Sequence, residues 1–378
     1  MSETTGMLFD TFATRHLILS NRIVMAPMTR SRAVYANTPN ALMAEYYGQR
    51  GAAGLIVTEG TSPSPNGLGY PRIPGLFNPA QVAGWRLVTA AVHGKGGKIF
   101  VQLMHTGRVT HVANLPAGAE VVGPGTAVCP GEMYTDLHGM QPYSVPRAMT
   151  EADIADAVSE YAQAARLAMD AGFDGVELHA ANGYLIEQFL NPMINDRTDA
   201  YGRELEGRNR FALEVARATV AAIGAERVGI RLSPYGVFNG TGEYANVQGQ
   251  YIALAQELSA LHLLYLHLVD HSSMGAPAVP ADFKLHLRRS FTGAFILSGG
   301  FDRATAEAAI AAKQGDLVAF GRAFLANPDL VARLQHRAPL NAPDAATFYT
   351  PGPKGYTDYP LLPVHLGVAE YRAPTAPS

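Results

Sequence analysis

The stretch "GVELHAANGYLIEQFLNP", residues 175–192, starts as an apolar strand and then sets His179, Asn182 and Tyr184 within six positions. An imidazole, an amide and a phenol at one strand end can all donate hydrogen bonds, and the first and third can also exchange protons. Standing alone, the trio reads equally as a capped strand followed by ordinary polar loop residues. A second group lies far along the chain. "LSGGF" at 297–301 and "AFGRAF" at 319–324 place Gly299, Gly300 and Gly321 beside Arg322. Glycines let a phosphate approach backbone N–H groups, and an arginine can hold it through a bidentate fork. A double glycine by itself is only a turn, so both groups depend on the elements that position them.

Short β-rich runs alternate with helix-like stretches along most of the 378 residues. Strands are expected at 22–27, 54–60, 98–105, 175–180, 227–234, 263–270, 294–300 and 317–324. Helices are expected near 38–50, 78–93, 151–171, 206–223, 247–261, 281–290, 302–314 and 327–337. Thr38-Pro39, Asn78-Pro79 and Asn327-Pro328 each read as an N-cap followed by proline at the first helical position. Thr150 with Asp153 reads as an acidic capping box, and Gly51, Gly94, Gly172, Gly224, Gly293 and Gly315 stand where helices should stop. Eight strand–helix units predict a (β/α)8 TIM barrel. The rival, a doubly wound dinucleotide fold, wants G-x-G-x-x-G after its first strand, and "APMTRSRA" offers no glycine there. The sequence predicts a single domain over 1–378, with a long excursion at 106–149 after strand three and a C-terminal tail at 338–378, both expected to cover the barrel mouth.

Barrel chemistry sits at the C-terminal ends of the strands, and strand side chains alternate in direction. Ile99, Val101 and Leu103 form one apolar set; Val176 and Leu178, then Val228, Ile230 and Leu232, then Leu264, Leu266 and Leu268 form three more. These should face the helices. Gln102, Glu177, His179, Arg231 and His267 should then point inward, where barrels are usually filled by branched apolar residues. Buried polar groups must be paired or neutral. One of them would be a satisfied core group, and Glu177 with Arg231 an internal ion pair, but five together suggest a lined site. Composition adds exclusions. A net charge of −3 without a basic stripe argues against nucleic acid. The single cysteine, Cys129, rules out an intramolecular disulfide, a Cys-rich zinc site and a Cys-ligated iron–sulfur cluster. "MSETTGMLFD" lacks the basic and apolar regions of a signal peptide and no apolar run is long enough to span a membrane, so a cytoplasmic protein is expected.

The motifs "NRIVMAPMTRSRA", "VQLMHTGR", "GVELHAANGYLIEQFLNPMINDRTDAYG", "GIRLSP", "LSGGF", "AFGRAFLANPDL" and "GYTDYP" occur in this order from about Leu8 to Pro360. Together they resemble the Old Yellow Enzyme family of FMN-dependent ene-reductases, which are (β/α)8 barrels. The resemblance implies non-covalent FMN, with NADPH or NADH as hydride donor and no metal. It implies that Thr29 bonds a flavin carbonyl, that Pro27, Met28 and Gly60 contact the ring, and that Gln102 binds the pyrimidine edge. Arg231 would stabilise negative charge at the opposite carbonyl, and Gly300, Gly321 and Arg322 would hold the phosphate. His179 and Asn182 would grip a substrate carbonyl or nitro oxygen, Tyr184 would donate the proton, and Tyr70, Met104 and Tyr356 would shape the pocket.

The chemistry accounts for these types. Hydride delivered to the β carbon of an enone builds charge on its oxygen, neutral donors stabilise it, and a phenol stays protonated at neutral pH. The implied activity is NAD(P)H-driven reduction of α,β-unsaturated carbonyl compounds, with nitro compounds and nitrate esters as further candidates, in a monomer or small homo-oligomer. Three departures bear on it. Met104 stands where many relatives carry an aromatic residue, which softens the wall. The donor pair is His/Asn rather than the His/His of some relatives. Thr29 with no cysteine nearby favours the classical subgroup. Two alternatives are kept: a metal-dependent barrel hydrolase using His105, His179, His267 and His271, which lacks a carboxylate-rich cage, and a flavin-binding sensor or store without turnover.

Overall fold

A computed structural model of the chain describes residues 6–363, so the part of the expected tail from 364 to 378 lies outside the described residues. Eight parallel strands close into a barrel in chain order: β1 (Ile23–Met25), β2 (Leu55–Thr61), β3 (Ile99–Leu103), β4 (Gly175–Ala180), β5 (Val228–Leu232), β6 (Tyr265–Val269), β7 (Ala294–Ser298) and β8 (Leu317–Phe320). The outer helices are α1 (Ala41–Gln49), α2 (Pro79–His93), α3 (Glu151–Asp170), α4 (Leu205–Ile223), α5 (Val247–Ala260), α6 (Ala281–Ser290), α7 (Arg303–Ala311) and α8 (Leu330–His336), with short helices Leu185–Leu190 and Arg322–Ala326 directly after β4 and β8. Among the described residues no helix is long and apolar enough to cross a membrane.

Period-two alternation divides the core into two layers. Ile99, Val101, Leu103, Val176, Leu178, Val228, Ile230, Leu232, Leu266 and Leu268 pack outward against helix residues such as Trp85, Tyr161 and Phe211. Leu264 departs from this set: it precedes β6 and packs, partly buried, on the interior layer. That layer consists of Val24, Leu55, Val57, Phe100, Tyr265, Ile296, Leu317 and Ala319, joined by Leu17 and Leu19 from the hairpin Phe12–Ala13/Ile18–Leu19. Full burial of each large apolar side chain is worth about 1.5–3 kcal/mol. The polar inward set completes the interior. Register pairs Glu177 with Gln102, and His179 with Arg231, which pairs in turn with His267.

Helix starts follow their capping chemistry. Asn78 accepts from Gln81 N–H with Pro79 at the first helical position, and Thr150 and Asp153 form the reciprocal capping box. Two expected caps are displaced. Asn40, not Thr38, caps α1 by accepting from Met43 N–H at 3.0 Å, so Pro39 precedes the helix. Asn327 accepts instead from Asn341 N–H at 2.7 Å, which ties it to the following segment, and α8 starts after Asp329.

The excursion 106–149 contains the hairpin Glu132–Thr135/Gly139–Pro142 and the parallel pair Val122–Gly123/Arg147–Ala148. It runs along the rim. Asn114 Nδ2 donates to Gly69 O at 3.0 Å and an Arg108 nitrogen to Asn239 O at 3.0 Å. The tail crosses nearer the barrel axis because two buried arginines bind its carbonyls. Arg30 donates to Phe348 O and Gly355 O, and Arg32 donates to Thr347 O, Phe348 O and Lys354 O.

Candidate active site

A cavity of about 530 Å³ opens at the C-terminal ends of the strands. Pro27, Met28, Thr29, Gly60, Tyr70, Gln102, Met104, His179, Asn182, Tyr184, Arg231, Gly300, Gly321 and Arg322 all line it. Tyr356 does not. Its ring is fully buried, stacked on Tyr46 with centroids 4.0 Å apart, and both Arg30 and Arg32 lie over it. The tail reaches the cavity through Phe348 and Tyr349 instead, while no residue of 106–149 lines it. His271, Phe238, Asn239 and Met274 also line it and were not singled out as wall residues. The paired arginines of "MTRSRA" were the available sign that a distant segment would be clamped at this end.

One end of the cavity is backbone and glycine. Gly299 and Gly300 have φ of +136° and +69°. A Cβ on Gly299 would lie 2.0 Å from Asp270 O, so no larger residue fits. The N–H groups of Gly300 and Arg322 have no backbone acceptor among the described residues. A Cβ on Gly321 would meet nothing nearer than Met28 Sδ at 3.6 Å, which leaves that face open to a ligand.

The other end is built from side chains. Glu177 accepts from Gln102 Nε2 at 2.8 Å, Tyr265 Oη at 3.0 Å and His267 Nδ1 at 2.9 Å. Burial raises its pKa, but His267, the Arg231 charge and these bonds outweigh burial and hold it below the ordinary carboxylate value. Arg231 is buried, and among the described residues its Nε has no hydrogen-bond partner. Glu177 makes its contact pair with His267, so Arg231 feels that carboxylate only at longer range. A buried cation without a contact partner, at a cavity wall, suits an electron-rich ligand oxygen or nitrogen. Burial, opposed by Glu177, lowers the His267 value.

The trio comes together where β4 ends. His179 is pushed well below the ordinary imidazole value by burial and then by Arg231, so it is a neutral ring. It meets Tyr184 edge to face at 4.9 Å. Asn182 sits in the left-handed region, φ +59°, which asparagine tolerates. Tyr184 begins the short helix Leu185–Leu190, and Leu185 N–H donates to His105 O. Glu187 on that helix accepts from Gly183 N–H at 2.6 Å and so ties the loop down. Burial pushes the Tyr184 phenol up to about 12, while a 3.1 Å hydrogen bond with Tyr70 pulls the other way. At neutral pH the wall therefore offers two neutral donors, one protonated phenol and one cation. Met104 backs Tyr184 in a small cluster with Leu68, Ile73 and Tyr70. Its Sδ would lie 2.4 Å from a Cβ on Gly60, so a larger residue there would have to push the Met104 thioether aside.

Metal chemistry finds no cage: among the described residues no group of His, Cys, Asp and Glu is placed to hold a metal ion. His105 accepts from Gly107 N–H at 3.0 Å, and burial pushes it down to about 3.

Residues 7–341 match the NADH:flavin oxidoreductase / NADH oxidase family. The chain is 44% identical over 353 residues to 12-oxophytodienoate reductase 1 of Oryza sativa subsp. japonica, covering 92% of this chain and 90% of that one. It is 43% identical to a probable flavin mononucleotide-dependent alkene reductase of Leishmania infantum, covering 91% and 94%. Among solved structures, morphinone reductase in complex with tetrahydroNAD superposes with a TM-score of 0.90 at 42% identity, covering 96% of this chain and 99% of that one. With its closed eight-strand barrel and its glycine- and arginine-lined cavity, the chain belongs to the NADH:flavin oxidoreductase / NADH oxidase family, the Old Yellow Enzyme group whose motifs it carries.

Proposed function

We propose that the chain is an FMN-dependent ene-reductase that takes hydride from NADPH or NADH and reduces the activated C=C bond of α,β-unsaturated carbonyl compounds, nitro compounds and nitrate esters being further candidates. The observation that carries this reading is a single cavity in which Arg231, without a contact partner, shares the wall with neutral His179 and Asn182 and protonated Tyr184.

The residues present fit FMN. Arg231 and Gln102 would hold the pyrimidine side, Thr29 a ring carbonyl, Pro27, Met28 and Gly60 the ring by close packing, and Gly300, Gly321 and Arg322 the phosphate. The chemistry FMN supplies when bound is hydride transfer from nicotinamide to the substrate's β carbon. The rest belongs to the chain. His179 and Asn182 donate to the substrate oxygen and stabilise the charge that develops there. Tyr184 holds a proton at its Oη and delivers it to the α carbon. Tyr70, Met104, Phe348 and Tyr349 line the cavity and shape the space the substrate enters.

The purified protein should be yellow and should release FMN on acid or heat treatment. A colourless protein that stays inactive after FMN is added would overturn the proposal. In Arg231→Ala and Arg322→Ala flavin occupancy should fall. In Tyr184→Phe, stopped-flow absorbance should show NADPH bleaching the flavin at a near-normal rate, with the enone half of the cycle slowed by about 10²–10⁴. An unslowed enone step would return Tyr184 to a wall residue.

A further inference from the structure

Asn182 is useful as a donor only one way round. Its backbone is pinned from two sides: its N–H donates to Ser233 Oγ at 2.8 Å, and its carbonyl accepts from Asn239 Nδ2 at 2.7 Å. Neither bond touches the side-chain amide, whose oxygen and nitrogen exchange places on a half turn of the last torsion. With the oxygen turned into the cavity, it would face the oxygen of the substrate and repel it.

The group that reaches the amide is on another strand end. His271, two residues past β6, places Nε2 2.7 Å from Asn182 Oδ1. We infer that His271 is a positioning residue for the reaction, whose Nε2–H donates to Asn182 Oδ1 and thereby turns the Asn182 Nδ2 donor toward the substrate oxygen. The inference rests on the reading of Asn182 as a substrate-gripping donor.

The surroundings of His271 suit this work. The ring meets Phe238 edge to face at 4.6 Å, and its carbonyl accepts from Met274 N–H at 2.8 Å, which fixes the turn at residues 272–274. Burial, and then Arg231, push the imidazole down to about 4, so the ring is neutral at ordinary pH and carries one N–H. Asp270 pulls the other way, but its carboxylate is engaged by Lys284 and by Ser272 N–H. The Oδ1 of an amide cannot donate, so the proton between the two side chains sits on Nε2. No charge is added beside Arg231, and the amide is held by a bond that its flipped form could not make with the same tautomer.

The test uses the FMN-loaded protein and p-chlorophenol, whose phenolate should give a long-wavelength charge-transfer band over the flavin. His271→Leu removes the donor and should raise the phenolate concentration needed for half the band by about tenfold, as expected for one lost hydrogen bond to an anion-binding group. His271→Gln restores an N–H near the Nε2 position and should return the titration to within about threefold of wild type. In an Asn182→Ala background, His271→Leu should add nothing, because the two act as one unit. An unchanged titration in His271→Leu while Asn182→Ala weakens binding overturns the inference alone. Additive effects overturn it too, since His271 would then touch the ligand itself, and so does loss of flavin from His271→Leu, which would make it a cofactor holder. An Asn182→Ala protein that binds phenolate like wild type overturns the donor reading beneath it.

Discussion

Two buried carboxylates bracket the trio His179, Asn182 and Tyr184, and they titrate in opposite directions. Glu177, inside the barrel on β4, is held below the ordinary carboxylate value; Glu187, ten residues on in the short helix, is pushed up to about 7. Each accepts hydrogen bonds from three groups. For Glu177 these are Gln102, Tyr265 and His267; for Glu187 they are Gly183 N–H, Ser233 Oγ and Tyr251 Oη. The count of donors therefore does not separate them. What separates them is the contact pair with His267 and then the Arg231 charge, both of which lower Glu177, whereas among the described residues no such group acts on Glu187. Three hydrogen bonds do not offset the burial of a carboxylate at Glu187, and pairing with an imidazole plus a guanidinium charge at longer range does at Glu177. One carboxylate is a charged group behind the cavity wall, bonded to Gln102, which lines it, and the other is a half-protonated strut for the loop that carries Asn182 and Tyr184.

The sharpest way to break this comparison is to make both uncharged. Glu177→Gln removes the carboxylate that His267 contacts and whose charge Arg231 feels at longer range, and should cost about 3–5 kcal/mol at pH 7, the range for breaking a buried ion pair. Flavin occupancy should fall with it, because Arg231 loses the group that fixes its field. Glu187→Gln at pH 7 removes a group already half protonated and should cost far less, about 1 kcal/mol. Chemical denaturation of both variants at pH 7 checks this; equal losses would mean that the charge of Glu177 is not what distinguishes it.

The sequence shows why the two differ only as far as alternation carries. Gln102, Glu177, His179, Arg231 and His267 could be aimed inward from period two alone, because the apolar residues between them had to face the helices. Caps written in adjacent residues, such as Asn78-Pro79 and Thr150 with Asp153, were equally legible. Contacts between distant segments were not. Tyr356 sits in a motif expected at the pocket, yet its ring is captured by Tyr46, Arg30 and Arg32, and Phe348 and Tyr349 reach the cavity instead. The bonds that set this geometry start from Arg30 and Arg32, which signal a clamp, but end on backbone carbonyls of the tail, which every residue has, so the clamped segment itself was not legible. His271 was visible as a histidine after β6, but its role depends on Asn182 lying across a strand boundary.

The strut can be tested through pH. The folded-state value of Glu187 lies above the ordinary 4.5 because burial outweighs its hydrogen bonds. It therefore contributes stability that is complete below about pH 4.5 and is lost as pH rises toward 7, at up to about 1.4 kcal/mol per pH unit. Glu59, pushed to about 7 by burial, adds a slope of the same sign. Glu187→Gln should remove one proton's share of that slope, so wild type and variant should converge in stability as pH rises from 5 to 7. Denaturation midpoints at quarter-unit intervals would show it, and parallel curves would mean that Glu187 ionises normally.

The smallest expected effect concerns the phenol between the two carboxylates. Tyr70 Oη and Tyr184 Oη are 3.1 Å apart, and either can donate. Before proton transfer the direction matters little. As Tyr184 gives its proton to the α carbon, its oxygen becomes an anion, and an O–H from Tyr70 is then a charge-assisted donor to it. That bond favours the ionised form and pulls the Tyr184 value down against the burial that raises it to about 12. Tyr70→Phe keeps the edge-to-face ring contact at 6.2 Å and deletes only this donor. The enone half of the cycle should slow by about five- to tenfold, near the worth of one hydrogen bond, and far less than in Tyr184→Phe. Flavin bleaching by NADPH should be unchanged. A Tyr70→Phe protein as slow as Tyr184→Phe would make Tyr70 the donor to substrate, and one as fast as wild type would confine Tyr70 to shaping the wall.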